Sequence, residues 1–166
     1  AISGQLSGDV DANVIVGGIP KDLLKLFEGS EDKVDFISMD VGSFQYLGFQ
    51  CGEGSVFNDK NVRLAVDYAI DRQSIADYIF GGGSVPNGLI LKGCVGYDPD
   101  YPVYEYNVEK AKEYLANSSY NGEEVMLSSN TSTVFAEEVL LAVAENLQAI
   151  GINAAVEVVE GATLMD

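Results

Sequence analysis

The stretch from residue 125 to residue 158 constrains the fold more than any other. Val125 and Leu127 alternate with polar neighbours as in a half-buried strand. Phe135, Val139, Ala142, Val143, Leu147 and Ile150 then recur at helical spacing up to Gly151, and Ile152, Ala154, Val156 and Val158 alternate again. Strand, helix and strand in that order make a βαβ unit, whose strands are expected to run parallel with a right-handed crossover. Parallel sheets hold ligands in the crevice beyond the carboxyl ends of their strands. Ser129, Asn130 and Thr131 end the first strand, so they are expected near any cleft.

Upstream, Asn58 or Asp59 caps a helix whose Val62, Ala65, Val66, Ala69 and Ile70 form one apolar stripe. Asp71 and Ser74 start a second helix, carrying Ile75 and Ile79 to a stop at Gly81-Gly82-Gly83. That glycine run follows a helix rather than a strand and lacks a Lys-Ser/Thr pair, so it is a helix terminator and not a phosphate loop. Residues 81–106 hold three of the four prolines and Tyr97, Tyr101, Tyr104 and Tyr106, and read as an ordered aromatic loop wrapping the domain. Asn107 opens a third helix with Val108, Ala111 and Leu115 inward, and Tyr120-Asn121-Gly122 is the turn out of it. Before residue 51 the text suggests strands at 13–16, 34–39 and 44–50 and a short helix at 21–27. The expectation is an α/β domain: a mixed sheet with flanking helices and the βαβ unit, in 166 residues that match a single domain.

Charge removes whole classes of function. Nine Lys and Arg face 26 Asp and Glu, a formal net charge of -17, so nucleic acid and anionic membrane are repelled as partners. Histidine is absent, which excludes Ser-His-Asp and Cys-His catalysis and, with only Cys51 and Cys94, any four-ligand Cys/His metal site. No catalytic residue, metal ligand or cofactor motif is expected. The two cysteines either form one bridge or serve as two small buried apolar groups. Glu123-Glu124 and Glu137-Glu138 are adjacent acids that cannot face each other across a substrate bond, and read as solvated faces. Arg63 and Arg72, the only arginines, read as structural ion-pair members with Asp67 or Asp71 as partners.

The run 58–72, Asn-Asp-Lys-Asn-Val-Arg-Leu-Ala-Val-Asp-Tyr-Ala-Ile-Asp-Arg, followed by Ile75 and the Phe80-Gly81 stop, resembles the signature helix of the family 5 extracellular solute-binding proteins. These are the oligopeptide, dipeptide and nickel receptors of ABC importers. Ser7-Gly8-Asp9-Val10-Asp11 resembles the family's small-Gly-acid turn, Tyr46-Leu47-Gly48-Phe49 its cleft-side strand, and Gly96-Tyr97-Asp98-Pro99 with the helix at Glu109 its later loop and helix. Ile150-Gly151-Ile152 and residues 158–164 extend the likeness over essentially the whole chain. Ser118-Ser119 stands where the family commonly has Ala-Gly.

The resemblance implies a type II periplasmic-binding-protein-like lobe, here partial: residues 1–166 as a single domain within one lobe of a larger two-lobed clamp. It implies capture of short peptides outside the cytoplasmic membrane, by a free or lipid-anchored receptor, for delivery to ABC permease subunits. A nickel chelate, a sugar or another small molecule is the alternative cargo within the family. A stand-alone protein-interaction domain and a small carboxylate enzyme acting on a phosphorylated substrate are rivals from other classes; the enzyme lacks its glycine loop and basic cradle. By strand position, Tyr46, Gly48, Asn130 and Thr131 are expected at the ligand, whereas Arg63, Asp71, Arg72 and Gly81 are expected to be structural.

Overall fold

The computed structural model of the chain describes residues 2–15, 19, 21–30, 32–37 and 42–161. Its element order is α1 (Ile2–Ser7), α2 (Lys21–Leu24) continued by a 3-10 turn (Lys25–Phe27), a second 3-10 turn (Val56–Asn58), α3 (Lys60–Ala69), α4 (Arg72–Tyr78), α5 (Val108–Ala116), β1 (Glu124–Asn130), α6 (Ala136–Ala149) and β2 (Asn153–Val159). The βαβ unit is present as expected. β1 and β2 pair in parallel from Glu124 opposite Asn153 to Asn130 opposite Val159. Val125 and Leu127 turn to the core while Glu124, Met126 and Ser128 stay exposed, which is the period-two pattern of a sheet with one covered face.

Side chains at the helix starts explain where the helices begin. Asp59 caps α3 by accepting the Asn61 N–H at 2.8 Å, and Asp71 caps α4 by accepting the Ser74 N–H at 3.0 Å and its hydroxyl at 2.7 Å. Asn107 caps α5 through the Lys110 N–H at 2.9 Å. Helix α6 differs: its cap is Phe135, which gives no side-chain hydrogen bond and sits in the left-handed region at φ 55. Gly81, at φ 77, stops the α4 segment, and the Gly82 N–H reaches back to the Ala76 carbonyl at 3.0 Å.

One core joins these elements. Val66 of α3, Ala111 of α5, Val125 and Leu127 of β1, Leu147 of α6 and Ile152 before β2 are all buried in it. Helix α3 lies against α5, and two polar ties lock the pair. Asp59 Oδ2 accepts from the Ser119 N–H at 2.7 Å and from its hydroxyl at 2.9 Å, and Asn61 Nδ2 donates to the Asn117 carbonyl at 2.6 Å. Ser119 thus holds the start of α3 to the end of α5. The loop expected at 81–106 has no helix or strand, and its Tyr104 ring packs edge-on against Tyr68 of α3, 5.3 Å between centroids.

Several expectations need correction. Residues 13–15, 34–37 and 44–50 form no strand, so the sheet of the described residues is two-stranded and parallel; residues 16, 38 and 39 lie outside the described residues. An extended segment becomes a strand only when a neighbour completes its ladder, and the alternation in the sequence does not supply one. Cys51 and Cys94 are both free and both exposed, so neither the bridge nor the buried-pair reading describes them. Helix α1 is not expected from the sequence, whose six residues there hold only Ile2 and Leu6 as apolar signal.

Candidate functional site

The segment 44–50 meets the loop that follows β1 at one rim. Along that segment Leu47 and Phe49 pack on the core, and Phe49 meets Phe57 with 4.8 Å between ring centroids. Tyr46, Gly48 and Gln50 therefore point outward, and Tyr46 is 77% exposed beside Phe44 at 6.2 Å. Gln45 carries the link: its Nε2 donates to the Val134 carbonyl at 2.8 Å, tying the segment to the loop that follows β1.

That loop is held by Asn130. Its Oδ1 accepts from the Ser132 N–H at 3.0 Å, from the Ser132 hydroxyl and from the Thr133 hydroxyl at 3.3 Å, while the Thr131 N–H continues the ladder to the Val159 carbonyl at 2.9 Å. The Asn130 oxygen is thus committed to shaping the turn. Its Nδ2, the Thr131 hydroxyl and the Tyr46 hydroxyl make no hydrogen bond among the described residues. The same holds for the main-chain N–H and C=O groups of residues 44–48. The rim therefore offers an extended backbone with free donors and acceptors, an aromatic face and an amide donor, and Gly48 leaves the backbone beside the Tyr46 ring open.

The other four singled-out residues stand apart from the rim. Arg63 donates through Nη1 to the Phe57 carbonyl and, at 3.0 Å, to the Asn58 carbonyl, so it clamps the turn before α3 instead of forming the expected ion pair. Arg72 does form its pair: Nη2 meets Asp67 Oδ1 and Nη1 donates to the Asp67 carbonyl at 2.9 Å, with burial pulling the guanidinium below its ordinary value. The Asp71 N–H donates to Asn146 Oδ1 at 2.9 Å, fastening the start of α4 to α6. Gly81 stops the segment beyond α4 next to Phe80, whose ring stands edge-on to Phe135 at 5.3 Å and so steadies the loop beneath the rim. Gln45 and Asn146 escaped the sequence reading, and Phe135, read there as the first apolar position of the helix, is instead its left-handed cap. None sits in a motif, and the left-handed φ of Phe135 leaves no mark on residue type.

Asp59 is a perturbed carboxylate in the structural frame. The Ser119 N–H, then the Asn61 N–H, hold it below the usual aspartate value. Among the described residues there is no group of three His, Cys, Asp or Glu side chains placed to hold a metal, and no helix is long and apolar enough to cross a membrane.

Comparison with known proteins places these features in context. The sequence profile of the bacterial extracellular solute-binding proteins, family 5 Middle, matches residues 3–166. The oligopeptide-binding protein AppA of Bacillus subtilis (strain 168) is 30% identical over 141 residues, 75% of this chain and 26% of AppA. Its structure in complex with a nonapeptide superposes with a TM-score of 0.59 at 31% identity, over 66% of this chain and 25% of that one. The glutathione-binding protein GsiB of Escherichia coli (strain K12) is 31% identical over 101 residues, 60% of this chain and 20% of GsiB. The binding protein AgaA from A. tumefacien R10, solved with agropinic acid, gives a TM-score of 0.58 at 36% identity, over 66% of this chain and 23% of that one. The chain thus spans about a quarter of the length of these relatives.

Proposed function

The chain belongs to family 5 of the bacterial extracellular solute-binding proteins, and on that premise we propose that it forms part of one lobe of a two-lobed receptor that captures short peptides outside the cytoplasmic membrane and passes them to ABC permease subunits. It acts by binding and closure rather than by catalysis. The observation that carries this reading is the backbone of residues 44–48, unpaired among the described residues and tied through Gln45 to the loop after β1. Main-chain groups can pair with the main chain of a peptide whatever its side chains, which is what broad peptide uptake requires. AppA, solved with a nonapeptide, supports the same cargo class.

In this reading Tyr46 and Gly48 line the peptide's path, while Asn130 Nδ2 and Thr131 donate to its carbonyls. Arg63, Asp71, Arg72 and Gly81 hold the frame that positions them. A non-peptide acid is the second reading, favoured by the 36% identity to AgaA, solved with agropinic acid.

Native mass spectrometry of the complete receptor, incubated with a mixed pool of short peptides beside the isolated chain, tests the proposal. Peptide masses retained by the complete receptor alone are the expected result. A folded receptor that retains no peptide but takes up small organic acids would replace the first reading with the second.

A further inference from the structure

The chain has two Asn-Gly steps, Asn87-Gly88 and Asn121-Gly122, and the fold treats them differently. We infer that Asn121 is a site of spontaneous deamidation to aspartate and isoaspartate, and that Asn87 is shielded from the same chemistry. In this reaction the main-chain nitrogen of the following residue loses its proton to solvent and attacks the asparagine side-chain carbonyl carbon. A C–N bond forms, and the side-chain nitrogen leaves as ammonia after taking up a proton from water. The resulting five-membered succinimide is opened by one water at either carbonyl. One opening gives aspartate; the other gives isoaspartate, in which the main chain runs through the former side-chain carbon. Only water is consumed and no oxidant or cofactor is needed.

The reaction needs a side-chain amide free to rotate onto the next nitrogen, an unengaged N–H there, and no Cβ in the way. Asn121 meets all three conditions. Among the described residues its side-chain amide makes no hydrogen bond and the Gly122 N–H donates to nothing, and both residues are exposed. Gly122 sits at φ 89 with nothing within 4 Å of where a Cβ would stand. Asn87 shares the glycine and, among the described residues, its unengaged N–H, but fails the first condition, because its side-chain amide is held. Its Nδ2 donates to the Asp98 carbonyl at 2.8 Å and is 3.4 Å from the Pro99 carbonyl. Gly88 lies against Tyr101, so close that a Cβ would stand 3.3 Å from the ring, and both residues are half-buried.

The consequence falls on the entry to β1. The Tyr120 hydroxyl donates to the Glu123 carbonyl at 2.7 Å and accepts the Asn153 N–H at 2.8 Å, pinning the turn to the start of β2. Glu123 Oε2 in turn accepts the Asn121 N–H at 2.8 Å. An isoaspartate at 121 lengthens the main chain inside this pinned turn and sets a new carboxylate beside that of Glu123.

Peptide mapping by mass spectrometry, after the folded chain has stood in warm, mildly alkaline buffer, tests the inference, with a urea-unfolded sample in parallel. In the folded chain a mass gain of about 1 Da, the exchange of an amide NH2 for OH, is expected to accumulate in the peptide carrying Asn121 well before that carrying Asn87. In urea the two steps should convert at similar rates, because the protection of Asn87 belongs to the fold. Equal or faster conversion at Asn87 in the folded chain would overturn the inference, as would an Asn121 that stays intact while the urea sample converts. Asn121→Gln, checked for folding by circular dichroism, should abolish the early signal; its persistence would also refute the assignment.

Discussion

Asp59 and Arg72 show how single polar side chains set the frame under the rim. Asp59 caps α3 and also holds Ser119, and these N–H donors keep its carboxyl below the ordinary aspartate value. A depressed value in the folded state means that the carboxylate adds stability at every pH above the unfolded aspartate's value. That contribution fades as pH falls through the folded one. Asp59→Ala is therefore expected to lose about 1 kcal/mol or more at neutral pH through the cap alone. Urea midpoints of the variant and the parent should converge as the medium becomes strongly acidic; a gap independent of pH would show that charge plays no part. Arg72 is partly buried, with side-chain exposures of 33% for it and 29% for Asp67. It combines the ion pair with a bond to the Asp67 carbonyl, so Arg72→Ala should cost about 1–2 kcal/mol in chemical denaturation. Arg72→Lys should recover only part of this, because an ammonium cannot make both contacts from the guanidinium's fixed fork.

At the scale of elements, α6 is the part on which the sheet depends. Leu147 is fully buried between it and the strands, and Leu147→Ala is expected to cost about 2–5 kcal/mol by leaving a cavity, read as a lowered urea midpoint with an unchanged slope. Helices α3, α4 and α5 and both strands were legible because their signals are local: Asp59, Asp71 and Asn107 cap with their own side chains, and Val125 with Leu127 marks a covered face. The described parts of the expected strands, 13–15, 34–37 and 44–50, misled for the opposite reason. Alternation at Phe44 to Gln50 does reflect real burial, with Leu47 and Phe49 turned inward, yet a strand requires a partner and the sequence of one segment is silent about its neighbour. The rim was half legible. The place of Asn130 and Thr131 at the end of β1 followed from the alternation, whereas the tie from Gln45 to Val134 spans 89 positions and no spacing rule reaches that far.

Over the whole molecule, 26 acids against 9 bases leave an excess of negative charge that no pairing within the chain can neutralise. Such a chain repels itself, and added salt screens the repulsion over about 10 Å at 0.1 M. Its thermal midpoint should rise between low and moderate ionic strength, with choline chloride as effective as sodium chloride; a midpoint indifferent to salt would mean that the acids are spread too widely to matter. The backbone of residues 44–48, unpaired among the described residues, is the other whole-molecule feature, because under the proposed function a ligand held by the complete receptor lies against it. Hydrogen–deuterium exchange of that receptor with and without a bound peptide tests this most directly. The account expects new protection at residues 44–50 and 130–134, with α3 unchanged. Protection confined to other parts of the receptor, leaving both stretches exchanging as before, would contradict it.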